Sequence, residues 1–106
     1  MSARTRKQQL EELLAQDPND PFLRYGLALE WASEGNEAQA VRQLLRLIED
    51  APDYVPGYQQ AGQFLLRMGR TTEARDVLGR GVRQAAAQGD AHAADEMRGL
   101  LASLPE

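Results

Sequence analysis

Apolar residues recur along this chain at three- and four-residue steps, the spacing of one face of an α-helix. Leu23, Leu27, Ala28 and Trp31 mark one such face, and Ala40, Val41, Leu44, Leu45, Leu47 and Ile48 mark a second, broader one. Tyr58, Ala61, Gly62 and Leu65 follow, and then Ala74, Val77, Leu78 and Val82. Local signals bound these segments. Asp20 is a good N-cap, and Pro21 stands at the first helical position, where its missing N–H costs nothing. The spacing predicts a helix from about Pro21 to Glu34. Gly35 supplies a left-handed residue to end it. Asn36 then caps a helix over about Glu37 to Asp50, and Pro52 stops its continuation.

The same grammar returns once. Asp53 is the expected cap of the next helix, Pro56 lies in its first turn and Gly69 ends it. Thr71 or Thr72 is expected to cap a partner helix running to about Gln88. Gly79 and Gly81 weaken that helix by about 1 kcal/mol each relative to Ala. Gly81 stands where Leu47 stands one unit earlier, which predicts a close approach by a neighbour. The interval is constant. Pro18 and Pro52, Gly35 and Gly69, and Ala40 and Ala74 are each 34 residues apart. Leu10, Leu44 and Leu78 form a triple at that spacing, and so do Leu14, Ile48 and Val82. A fixed period shared by turn and apolar positions is the mark of a repeat architecture.

The segment from Asp20 to Asp53 resembles one tetratricopeptide repeat, a helix–turn–helix unit. Leu27, Ala28 and Trp31 match that family's first helix, and Ala40, Leu44, Leu47 and Pro52 match its second, with Leu47 larger than usual. Tyr58, Ala61, Gly62, Leu65, Ala74, Leu78 and Gly81 carry the pattern through the second unit, whose closing Pro is replaced by Ala86. The resemblance implies an all-α fold, a right-handed superhelical stack of antiparallel helix pairs with about six helices. One domain then covers residues 1–106, with repeats at 20–53 and 54–88. Both ends of such a stack need covering. Residues 5–17, with Leu10, Leu13 and Leu14, read as a half-repeat helix matching the second helix of a preceding unit. Residues 90–104 read as a C-terminal capping helix, with Asp90 as N-cap and Ala94, Met97, Leu100 and Leu101 on one face. Residues 1–4, Pro105 and Glu106 are expected to fray.

Composition changes the picture only by exclusion. The 106 residues are 42% apolar and 26% charged, close to an ordinary globular domain. There is no cysteine, so disulfides, thiolate metal sites and cysteine nucleophiles are ruled out. No apolar run reaches the roughly 18–20 residues that span a bilayer. Glu11 and Glu12 interrupt the segment where a signal peptide would need its apolar core. A cytoplasmic protein without a membrane partner is expected. The net charge of −4 argues against nucleic acid binding by the whole surface.

The resemblance also implies a function: a non-catalytic module that holds a partner peptide or helix in a concave groove lined by the first helices of the repeats. By register, the groove residues are Phe22, Tyr25, Leu29, Ala32 and Ser33, then Gln59, Gln63, Leu66 and Arg67, with His92, Asp95 or Glu96 added by the last helix. Phe22 and Tyr25 offer apolar area, Gln59 and Gln63 can donate to and accept from a peptide backbone, and Arg67 can pair with a carboxylate. Tyr25, Leu29, Gln59 and Gln63 stand where one subset of the family grips a terminal carboxylate with Lys and Asn, so that clamp is not expected. His92 and Glu96 form an i, i+4 pair beside Asp95 but lack a third ligand, so no metal is expected, nor any cofactor. No catalytic residue is assigned. Two alternatives stand beside the groove. Leu45, Leu66 and Leu104 can make the chain a self-associating scaffold, monomer or weak homodimer. The arginines from Arg67 to Arg83 can bind RNA, although a solvated face with local ion pairs is the preferred account of them.

Overall fold

The computed structural model describes residues 4–105, which form six helices and no strand among the described residues. These are α1 (Arg6–Gln16), α2 (Pro21–Ser33), α3 (Glu37–Asp50), α4 (Val55–Arg67), α5 (Thr71–Ala87) and α6 (Ala91–Ala102). Each packs on its neighbours in sequence, and α4 also meets α6. The result is an elongated stack of antiparallel helix pairs, 52 × 28 × 20 Å, and the all-α reading holds.

Short polar caps start three of the helices where expected. The Asp20 carboxylate accepts from the Leu23 N–H at 3.0 Å, the Asn36 side chain from Gln39 N–H at 3.1 Å, and Asp90 from Ala93 N–H at 3.1 Å. Thr5 and Gln8 add a reciprocal capping box at the start of α1. Two expected caps are corrected. Tyr54 holds the cap position of α4 and Arg70 that of α5, and neither helix receives a side-chain cap. Asp53 therefore does not cap; its backbone carbonyl accepts from Gln88 Nε2 at 2.7 Å. Thr71 already lies inside α5, and Thr72 follows it. Three turns share one geometry. Gly35, Gly69 and Gly89 have φ of 85°, 73° and 76°, and the next residue donates back to Trp31, Leu65 and Ala85 respectively at 2.8–2.9 Å. Only glycine enters that region without strain, which is why the glycines fall at the helix ends.

Packing follows the apolar stripes. Val41, Leu44, Leu47, Ile48, Leu65, Leu78 and Met97 lose all contact with solvent, each large side chain contributing roughly 1.5–3 kcal/mol. Tyr58 is buried, and its hydroxyl donates to the Pro52 carbonyl at 2.7 Å. Arg80 lies 5.7 Å from the Tyr58 ring and pairs with Glu49 of α3 and Asp76 of α5, tying three helices together. Gly81 meets the predicted close approach: a Cβ there would lie 2.5 Å from Met97 Sδ and 2.7 Å from Tyr58 Cβ.

At the N-terminal end Leu10 is buried against Gly26, whose Cβ would lie 3.3 Å from Leu10 Cδ2. Lys7 stacks 3.4 Å from the Trp31 ring centre and reaches Glu34 at 3.2 Å, and Arg6 reaches Glu30 at 3.0 Å. Leu13, which its spacing puts on the covering face, is 49% exposed, because the face of α1 that meets α2 is centred on Leu10. Of the residues expected to fray, 1–3 and 106 lie outside the described ones. Arg4 pairs with Glu12 at 2.9 Å, and the Pro105 carbonyl accepts from Arg75 at 2.7 Å.

Candidate protein-binding face

The first helices of the hairpins, α2 and α4, are linked to each other and to α6 through side chains. Tyr25 of α2 meets Tyr54, the cap residue of α4, edge to face with ring centres 5.7 Å apart. Gln59 of α4 donates its amide to the Glu96 carboxylate of α6. Register puts Tyr25, Gln59 and Glu96 on one line, and these contacts lie between the helices that carry them.

The nine candidate residues on α2 and α4 differ in how much they offer. Phe22 is 65% exposed, the most open large apolar side chain among the described residues. Tyr25, Leu29 and Leu66 are half-buried and pack against the core, so each presents only part of its surface. Gln63 is half-buried one helical turn after Gln59. Ser33 is exposed, and its hydroxyl donates to the Glu30 carbonyl at 2.8 Å, which occupies its proton within the helix. Arg67 is exposed, pairs with Glu37 at 3.0 Å and lies 4.7 Å from the Phe64 ring. Gln59 is already engaged by Glu96. Ala32 is half-buried against the core.

At the α6 end, the Glu96 carboxylate also lies 2.6 Å from His92 Nε2, and Asp95 pairs with Arg98 at 3.0 Å. Glu96 thus holds two side-chain partners, and no group of three or more acidic or histidine side chains among the described residues is placed to hold a metal. Burial raises the Tyr25 phenol above its ordinary value, with the Gln60 side chain pulling the other way. Burial raises Tyr54 as well, reinforced by the Tyr25 and Asp20 charges. Both hydroxyls therefore stay protonated at neutral pH and can donate to a partner.

Tyr54 is the residue that sequence reasoning missed. It precedes α4 and falls outside the helical register from which the face was read. Its aromatic type beside a helix start was the only available signal.

Four of the five arginines from Arg67 to Arg83 have partners. Arg67 pairs with Glu37, Arg70 with Glu73 at 2.6 Å, and Arg80 with Glu49 and Asp76, while Arg75 donates to the Pro105 carbonyl. Those of Arg67, Arg70 and Arg80 are ion pairs. Leu45 and Leu66, offered as self-association residues, both pack against the core, and Leu104 is half-buried.

A stack of antiparallel helix pairs repeating every 34 residues defines a helical-repeat protein. Comparison with known proteins agrees. Residues 2–76 match the family model described as tetratricopeptide repeat. A TPR repeat-containing protein of Pseudomonas aeruginosa is 32% identical over 95 residues, covering 90% of each chain. A solution structure of a tetratricopeptide repeat domain protein from Salinibacter ruber superposes with a TM-score of 0.75 at 33% identity, covering 79% of this chain and 85% of that one. A crystal structure of a tetratricopeptide repeat domain protein from the same organism gives 0.72 at 33% identity, covering 77% and 91%. The chain belongs to the tetratricopeptide repeat family. That fold generally mediates protein–protein interaction, and its domains are typically non-catalytic. No helix among the described residues is long and apolar enough to cross a membrane.

Proposed function

We propose that this chain is a cytoplasmic adaptor that holds a peptide segment or short helix of another protein along the face of α2 and α4. The observation that carries the reading is Phe22, two-thirds exposed on the same helix as the partly open Tyr25 and Leu29. A large aromatic left in water on a folded surface gains most by burial in a partner, and aromatic anchors dominate interface energetics. Gln63 and the two tyrosine hydroxyls supply neutral donors and acceptors beside it, suited to a peptide backbone and indifferent to charge. Arg67, at the edge, already neutralises Glu37, so it is a weaker determinant than its register suggests.

The test is a pull-down that compares wild type with a Tyr25→Ala, Gln63→Ala variant. Both residues are only half-buried, so the variant is expected to fold, which a thermal melt checks. Loss of specific partners from the variant supports the face. Identical partner sets for the two proteins would remove it.

A further inference from the structure

We propose that Arg6 and Arg98 close the two ends of the stack against a second copy of the chain, independently of whatever the α2–α4 face binds. The fold has a built-in route to end-to-end growth. By register α1 is a second-type helix and α6 a first-type helix, so α1 of one copy can complete a hairpin with α6 of another. Such a contact is head-to-tail and would continue into open chains.

The residues at the hairpin seam decide whether it forms. In the internal hairpins the eighth residue after the N-cap is small: Ala28 follows Asp20 and Gly62 follows Tyr54. Ala28 is fully buried, and a Cβ on Gly62 would lie 2.6 Å from Cγ of Leu78 in the partner helix. That seam has no room for anything larger than a methyl group. The eighth residue after Asp90 in α6 is Arg98, whose side chain is 56% exposed. The other half of the seam repeats the pattern. Ala40 and Ala74 are fully buried in α3 and α5, and 34 positions before Ala40 stands Arg6, 65% exposed. Each arginine is held at the surface by an acid 3.0 Å away, Arg6 by Glu30 and Arg98 by Asp95.

An end-to-end junction would therefore bring two guanidinium groups into a seam that elsewhere admits only a methyl group or a hydrogen. Bulk and like charge both oppose it, and burying either cation strips its water and loosens its ion pair. In the free protein the same arginines cost little, because each stays more than half exposed to water beside its acid.

The test is the weight-average mass of wild type and of R6A/R98A across the micromolar range, by sedimentation or light scattering, with a melt to confirm that each is folded. Wild type is expected to hold the 11.8 kDa of one chain. The variant is expected to more than double that mass with rising concentration, in a series that does not stop at two. A variant that stays monomeric, a mass that plateaus at a dimer, or a wild type that already grows with concentration would each overturn the proposal.

Discussion

Replacing Gly81 with Ala sets two effects against each other, and the structure says which wins. Alanine stabilises a helix interior by about 1 kcal/mol relative to glycine. At position 81 the new methyl would sit 2.7 Å from Tyr58 Cβ and 2.5 Å from Met97 Sδ. Met97 can swing its sulfur aside, but a Cβ atom has no rotamer, so relief at Tyr58 requires α4 and α5 to part. Tyr58 is buried and tied to Pro52, which resists that motion. Overpacking of this kind costs about 1–3 kcal/mol. With no soft escape the upper half of that range applies, leaving G81A destabilised by about 1–2 kcal/mol. A domain this size shifts its Tm by roughly 4–8 °C per kcal/mol, so a drop on the order of 4–16 °C is expected. Gly79, two residues away, is the internal control. Its Cβ would meet only Arg83 Nη1 at 3.8 Å, so G79A is expected to gain up to about 1 kcal/mol. Thermal melts of both variants by circular dichroism decide the matter. G81A matching or exceeding G79A in stability would refute the close approach.

Other perturbations probe the remaining contacts. Ala substitution at Asp20, Asn36 or Asp90 is expected to cost about 1 kcal/mol each, while the same change at Asp53 or Thr72 leaves the denaturation midpoint nearly unmoved. Lys7→Ala removes the stacking over Trp31 and the Glu34 pair, about 1 kcal/mol; hydrogen exchange should quicken in α1 and not in α4. Burial raises the folded-state values of Tyr25, Tyr54 and Tyr58 above the ordinary 10.0. The folded chain then holds those protons longer than the unfolded one, so their stabilisation is complete below pH of about 10 and is lost as pH rises through the raised values. An ultraviolet phenolate titration that runs at the ordinary tyrosine value while the chain is still folded would contradict their burial.

The helices and turns were legible because their signals are local. Asp20 with Pro21, Asn36, Asp90 and the three turn glycines act within one helical turn of themselves, and the 34-residue period placed them in register. The same reasoning failed at Asp53 and Thr71, where a suitable cap residue lay within a residue or two of the true boundary. Pattern alone could not decide between them, because Tyr54 and Arg70 hold the cap positions without side-chain caps. Leu13 was misjudged for a different reason: helical spacing gives a face, but a helix with a neighbour on one side buries only the centre of that face. The candidate face was legible as a line of residues. Its contacts, Tyr25 with Tyr54 and Gln59 with Glu96, join residues 29 and 37 positions apart and arise only when the helices stack. The cation–π contact of Lys7 over Trp31 was hidden likewise, since α1 reaches α2 through a turn whose direction the sequence does not specify.

Site-specific photo-crosslinking tests the protein-binding face most directly. A benzoylphenyl side chain replaces Phe22 in one protein and the exposed Arg46 of α3 in another, and each is irradiated in cell extract. The α2–α4 face predicts a discrete crosslinked partner from position 22 that is absent from position 46. A partner captured from position 46 alone would place binding on the second helices and contradict it.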